Sequence, residues 1–229
     1  MKILNLYAGI GGNRKLWEDV EVTAVEYNAE IAAIYQEYFP DDTVIVADAH
    51  EYLLAHYKEF DFIWASPPCT SFSVASIGHH WNKDNTPKTP DALLGVEIVK
   101  KTLSLIKIFL HQNRKRVFYF ENPTGKLRKL PIVRGEFDRA TIDYCRYGDN
   151  RMKPTDIWTN NLYSMYNLHG WKPRPRCFPG NTKCHHEPAP RGSKTGTQGR
   201  NGAYDRSKIP PLLCQEILKS IPKPQIILP

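Results

Sequence analysis

No apolar run in this 229-residue chain approaches the ~20 residues needed to cross a bilayer. Its opening, "MKILNLYAG", also lacks the charged, apolar and small-residue succession of a secretory leader. The expectation is a cytoplasmic protein with no membrane partner. Cysteine is scarce: five residues, odd in number and irregular in spacing, exclude a disulfide framework and leave chemistry or metal binding as uses. Acidic residues thin out beyond position 62. Residues 1–62 hold 12 Asp/Glu against 4 Lys/Arg, and the remainder holds 12 against 27. A basic back half of this kind fits contact with a polyanion, the alternative being a solvated basic surface. Disorder is excluded by composition, since 41% hydrophobic and 24% charged residues are ordinary for a globular chain. The length suits one domain with a small insert.

Short apolar runs alternate with helical patterns through the first 120 residues. "KILNLY", "VEVTAVEY", "TVIVAD", "FDFIWAS" and "RVFYFEN" are rich in β-branched and aromatic residues and read as buried strands. "NAEIAAIYQEYF", "AHEYLLAHYKEF" and the stretch after Pro90 read as helices, the last with Val99, Leu103, Ile106, Phe109 and Leu110 at helical spacing. This alternation predicts an α/β fold with a mostly parallel sheet. "ATIDYCRYG" and "TDIWTN" add two strands. Residues from about Ser164 to Asp205, rich in Pro, Gly, Lys and Arg, form an irregular basic insert, and "SKIPPLLCQEILKSI" then returns as a helix capped by Ser207. The expected division is a core over 1–163, the insert over 164–205 and the returning helix over 206–229.

Ligands of such sheets bind beyond the carboxyl ends of the strands, and chemistry-bearing residues concentrate in those loops. "LYAGIGGNRKLW" sets Gly9, Gly11 and Gly12 between the first strand and an expected first helix, a spacing that serves a tight turn or a close backbone approach to a ligand. Glu26, ending the second strand, can accept from both hydroxyls of a ribose, and Asp48, after the third, from an adenine amino group. "SPPCTSFS" places Cys69 at a strand end behind two prolines, where a thiol can be aimed as a nucleophile. "YFENP" supplies Glu121 at the next strand end, and burial beside a thiolate would keep it protonated.

The glycine motif "YAGIGG", Glu26, Asp48, "PPC" and "ENP", in this order, resemble the cytosine-carbon-5 DNA methyltransferases. "YGDNRMKPTDIW" and "RSKIPPLL" extend the similarity more weakly. The resemblance implies a Rossmann-like, S-adenosylmethionine-dependent methyltransferase fold. It implies a cofactor pocket lined by Tyr7, Ala8, Gly9, Gly11, Gly12, Glu26, Tyr27, Asp48 and Ala49, with Pro68 beside it. It makes Cys69 the nucleophile at carbon 6 of a flipped-out cytosine, Glu121 the proton donor, and Arg151, with Lys153, a holder of the flipped nucleotide or of a closed loop. That loop would be "SIGHHWNKDNTPKTPD". The implied partner is double-stranded DNA, met by a monomer.

Between the basic motif and the last helix, residues 166–208 hold 9 Lys/Arg and 2 Asp/Glu, including "WKPRPR" and "APRGSKTGTQGR". A segment this short can make few base-edge contacts, so a short, salt-sensitive recognition site is expected. "CFPGNTKCHH" brings Cys177 and Cys184 near His185 and His186. With Cys145 from the preceding strand, Cys177, Cys184 and His186 could hold a structural zinc in place of a core. An RNA cytosine methyltransferase and a catalytically silent nucleic-acid binder remain the alternative functions.

Overall fold

The structure is a computed structural model and describes residues 1–113, 115–178, 180–187 and 207–222. Seven strands form one sheet: β1 (Lys2–Leu6), β2 (Glu21–Glu26), β3 (Thr43–Val46), β4 (Phe62–Ala65), β5 (Val117–Pro123), β6 (Asp138–Asp143) and β7 (Pro154–Thr159). Their order across the sheet is β3-β2-β1-β4-β5-β7-β6. The first five pair in parallel, whereas β7 runs antiparallel to both β5 and β6.

The apolar runs are unbroken because the central strands are covered on both faces. All four residues of β4 are buried, and period two divides them. Ile63 and Ala65, with Phe118 and Phe120, join Leu53, Val99, Leu103, Ile106 and Phe109 on one face. Phe62 and Trp64, with Val117 and Tyr119, meet Trp17, Ile142, Leu213 and Ile217 on the other. Each such side chain contributes roughly 1.5–3 kcal/mol on full burial.

Among the described residues, five helices connect and cover the strands. Asn28 caps α1 (Ala29–Tyr38) by accepting from the Glu30 and Ile31 amides, and Asp48 caps α2 (Ala49–His56) by accepting from His50 and Glu51. A short α3 (Ile77–His80) precedes α4 (Pro90–Gln112), whose N-terminus combines a Thr89 cap with proline in the first turn. The chain closes with α5 (Pro211–Ser220). This helix starts later than its expected Ser207 cap. A residue before proline is held out of the helical region, and Pro210, preceding Pro211, lies at φ −57°, ψ 124°.

Two further expectations differ from the structure. No helix follows β1: residues 9–16 form successive turns, because Tyr7, Gly9 and Gly11 all take positive φ. A side chain at Gly11 would also put its Cβ 2.3 Å from the Phe39 ring. The stretch "ATIDYCRYG" is a strand only to Asp143. Tyr144–Tyr147 form a 3-10 turn ended by Gly148 at φ 87°, so Cys145 sits on a turn rather than in a strand.

The described part of the basic insert is a strap over the α5 face. Trp171 is buried edge-on to Tyr119, the Arg174 amide donates to the Tyr147 hydroxyl, and the Arg174 guanidinium pairs with Glu216 of α5. "APRGSKTGTQGR" lies outside the described residues. Among the described residues, no helix is long and apolar enough to cross a membrane.

Candidate active site

Parallel strands deliver their carboxyl ends to one sheet edge, and two neighbouring sites occupy it. The first is a cleft of about 270 Å³ lined by Tyr7, Val25, Glu26, Tyr27, Ala47, Asp48, Ala49, Ser66 and Pro68. Glu26 is held in place by backbone: its Oε2 accepts from the Gly9 amide at 2.9 Å and its Oε1 from the Asn28 amide at 3.0 Å. Asp48 is fixed by its capping role, and those two amides hold its carboxyl below the usual range. Tyr27 exposes 80% of its surface at the rim, a flat ring beside two acceptors. Tyr7 is anchored from behind, its hydroxyl 2.7 Å from Thr102 Oγ1 and 2.9 Å from His50 Nε2. Burial pushes the Tyr7 hydroxyl up and the His50 ring down, so both stay neutral near pH 7.

Of the ten residues expected at a cofactor, Tyr7, Glu26, Tyr27, Asp48, Ala49 and Pro68 line this cleft. The others stand behind it. Ala8 packs with Ala24 and Tyr35, Gly9 supplies the amide that holds Glu26, Gly11 backs onto Phe39, and the Gly12 carbonyl accepts from the Ile209 amide at 3.3 Å. Val25, Ala47 and Ser66 escaped sequence reasoning. The first two read as strand core, and nothing marked the Ser66 hydroxyl before "PPC".

The second site lies at the ends of β4 and β5, which pair through Ala65 and Phe120. Cys69 is half-buried, and its carbonyl accepts from the Phe72 and Ser73 amides at 2.9 and 3.0 Å, which folds "CTSFS" into a tight turn. The turn is locked to the loop after β5. Ser73 bridges Gly125, where any Cβ would fall 2.1 Å from the Phe72 carbonyl oxygen. Asn122 is fully buried and donates to the Pro67 carbonyl at 3.2 Å, tying "ENP" to "PPC".

Glu121 is 6% exposed, and burial raises its carboxyl above the ordinary value. The Lys153 ammonium, the Tyr144 hydroxyl and the Ser66 hydroxyl partly offset this. Tyr144 donates to Glu121 Oε1 at 3.0 Å and is fully buried. Its role was invisible in sequence, where it read as one more residue of a strand. Lys153 lies over the Tyr144 ring at 4.8 Å and within electrostatic reach of both Glu121 and Cys69, and desolvation pushes its pKa down. Arg151 is engaged by Asp149 through Nε at 2.9 Å and Nη2 at 2.6 Å, and donates to the Lys208 carbonyl at 3.1 Å. The segment after Cys69, expected as a lid, is moored in the middle. Trp81 is 5% exposed, donates to the Ser71 carbonyl at 2.7 Å and carries the Lys126 ammonium 5.1 Å from its ring centre. Beyond this edge the structure gathers Cys145, Cys177, Cys184 and His186, whose ligand atoms all lie within 4.8 Å of one another.

A sheet of this order, with its antiparallel β7 and a cleft of paired carboxylates beyond β2 and β3, is a Rossmann-like α/β fold. Residues 1–102 match the family model for the C-5 cytosine-specific DNA methylase. The chain is 24% identical over 240 residues to a probable DNA (cytosine-5)-methyltransferase of Frog virus 3 (isolate Goorha), covering 95% of this chain and 99% of that one. It is 29% identical over 149 residues to a tRNA (cytosine(38)-C(5))-methyltransferase of Spodoptera frugiperda, covering 59% of this chain and 43% of that protein. Among solved structures, a Spodoptera frugiperda DNMT2 variant gives a TM-score of 0.49 at 20% identity, over 78% of this chain and 55% of the other. The chain thus spans about half the length of that structure. The cleft fits S-adenosylmethionine: Glu26 and Asp48 offer acceptors for ribose hydroxyls and an adenine amino group, and Tyr27 offers an exposed ring.

Proposed function

We propose that the chain is a DNA (cytosine-5-)-methyltransferase acting, as a monomer, on a cytosine flipped out of double-stranded DNA. The observation that carries this reading is the adjacency of Cys69 and Glu121 on neighbouring strand ends, with Lys153 within electrostatic reach of both. Carbon 5 of cytosine is a poor nucleophile, and covalent addition at carbon 6 divides one hard step into easier ones. The Cys69 thiolate adds to carbon 6, and the electron pair displaced from the ring double bond is drawn toward nitrogen 3. Glu121, its carboxyl pushed toward the protonated form by burial, delivers its proton there. S-adenosylmethionine supplies the methyl group that carbon 5 then takes. Loss of the carbon-5 proton to water and breaking of the sulfur–carbon 6 bond return the thiolate, and the nitrogen-3 proton goes back to Glu121. The nearby Lys153 ammonium favours the thiolate and balances charge as Glu121 gives up its proton.

Glu26, Tyr27, Asp48 and Tyr7 hold the cofactor beside this chemistry, and Arg151 braces the turn from which Lys153 projects. The base must leave the stack to reach a half-buried thiol. The basic strap and its continuation contact phosphates, and its brevity argues for a recognition site of few base pairs.

DNA is favoured over RNA as substrate because the frog-virus relative matches end to end, whereas the tRNA-modifying relative matches in part. The decisive experiment is transfer of labelled methyl groups to duplex DNA containing 5-fluorocytosine, run beside Cys69→Ala and with tRNA as competitor. A cofactor-dependent covalent DNA adduct, absent in Cys69→Ala, is the expected result. Preferential methylation of tRNA would move the substrate to RNA. No adduct on either nucleic acid would leave a silent binder.

A further inference from the structure

We propose that Cys145, Cys177, Cys184 and His186 bind a zinc ion that rivets the basic strap to the turn behind the catalytic carboxyl. The four ligand atoms lie within 4.8 Å of one another although they come from three separate pieces of chain. Cys145 lies on the Tyr144–Tyr147 turn, Cys177 follows the "WKPRPR" segment, and Cys184 and His186 lie on the far arm of the loop that begins at Cys177.

Each piece is positioned by contacts that do not involve the thiols. The Cys177 amide donates to the buried carboxylate of Asp143 at 2.7 Å, which also pairs with Arg176. The loop turns through Asn181 to Phe178 and Cys184 to Asn181 backbone bonds. The far arm is fastened by the Glu187 amide donating to the Asn150 carbonyl at 2.8 Å. The fold therefore converges three thiols and an imidazole in one small volume.

Their geometry suits a tetrahedral ion. With zinc–sulfur and zinc–nitrogen bonds of ~2.3 and ~2.0 Å, a sulfur and a nitrogen sharing one tetrahedral ion stand about 3.5 Å apart. Cys177 Sγ and His186 Nδ1 are 3.6 Å apart. A soft three-thiolate, one-imidazole set with all four positions filled by protein is that of a structural site, closed to water and substrate. A disulfide would join only two of the four groups and leave the imidazole without a purpose. Binding releases the thiol protons and leaves a net charge of minus one on the site, in a stretch of chain where Arg146, Arg176 and Lys183 are each adjacent in sequence to a ligand.

Zinc here would replace the apolar core that so short a strap cannot build. It would also fix the turn carrying Tyr144, whose hydroxyl donates to Glu121. The site stands whether the substrate is DNA, RNA or neither.

The test is elemental analysis of the full chain purified without chelator, together with the absorption spectrum after exchange with cobalt(II). The parent and Cys69→Ser are expected to carry one zinc per chain and, with cobalt, to show thiolate charge-transfer bands and the strong visible bands of a tetrahedral ion. Cys184→Ser and His186→Gln are expected to lose the zinc or bind it far more weakly. The parent cobalt spectrum decides the matter even if those variants fold poorly. Less than about a tenth of an equivalent of zinc, with no thiolate–cobalt band, would overturn the site. So would an intact mass lower by two hydrogens in protein handled without oxidant, with the missing pair mapped to these cysteines.

Discussion

The carboxylates of the cleft and those of the β5–β7 flank are placed in different ways. In the cleft, Glu26 and Asp48 lie near the surface and are held by backbone amides: those of Gly9, 17 residues away, and Asn28 for one, and those of His50 and Glu51 for the other. On the β5–β7 flank the carboxylates are buried and their partners are distant in sequence. Asp156 is held by Arg128, 28 residues away, and by Thr141; Asp143 by Arg176, 33 residues away; and Glu121 by Tyr144, 23 residues away. A cofactor cleft needs acceptors that remain accessible, and backbone amides of a cap or turn orient them without covering them. An acid catalyst needs burial, and its surroundings must then be assembled from afar.

The comparison is broken most severely at Glu121. Glu121→Gln is expected to lower kcat by about 10²-fold or more while cofactor affinity stays near that of the parent, as measured by single-turnover methylation and cofactor titration. Stability should respond with a definite sign. Burial raises the folded-state pKa, so the folded chain keeps a proton that the unfolded chain has lost. Stability therefore declines as pH rises from the unfolded toward the folded pKa. Glu121→Gln should flatten that slope in denaturant titrations across pH.

Arg176→Ala comes next. It strips the guanidinium from the fully buried Asp143 and should cost about 2 kcal/mol in urea unfolding, the Arg176 side chain being 46% exposed and so worth less than a fully buried partner. Asp48→Ala tests the cleft. Loss of a local cap should cost only ~1 kcal/mol of stability, and the larger signal should be weaker cofactor binding. An Asp48→Ala penalty equal to that of Arg176→Ala would erase the contrast between local and long-range support.

Tyr144→Phe should have the smallest effect on stability, roughly 1 kcal/mol or less. It sharpens the comparison through pH instead. The bond from Tyr144 lowers the Glu121 pKa, so its loss should move the alkaline limb of kcat to higher pH. An unshifted limb would reduce Tyr144 to a packing residue.

The same contrast governs what could be read from residues alone. Strands β1 to β7 each lie within a run that alternation and β-branching mark out, and in the central strands burial on both faces leaves a direct imprint on composition. Glu26, Asp48, Cys69 and Glu121 were legible because strand ends of a parallel sheet share one edge. Ser66 and Tyr144 were not, since a hydroxyl earns its role from a partner that only the fold brings near. The helix expected after β1 failed for a local reason, positive φ at three of the five residues from Tyr7 to Gly11. The strand expected through Cys145 stopped at Asp143, whose burial and distant arginine no local pattern announces.

Strand polarity has a last consequence. In a wholly parallel sheet, the residues leading into a strand lie at the edge opposite those leaving its neighbour. Because β7 runs against β5, its entrance meets the exit of β5: Pro123 pairs with Thr155, and the Thr124 amide donates to the Pro154 carbonyl at 2.9 Å. One reversed strand thus carries Lys153 to the doorway that Glu121 and Cys69 already occupy. A sheet otherwise suited to holding a nucleoside at one end acquires a cation beside a buried carboxyl and a thiol.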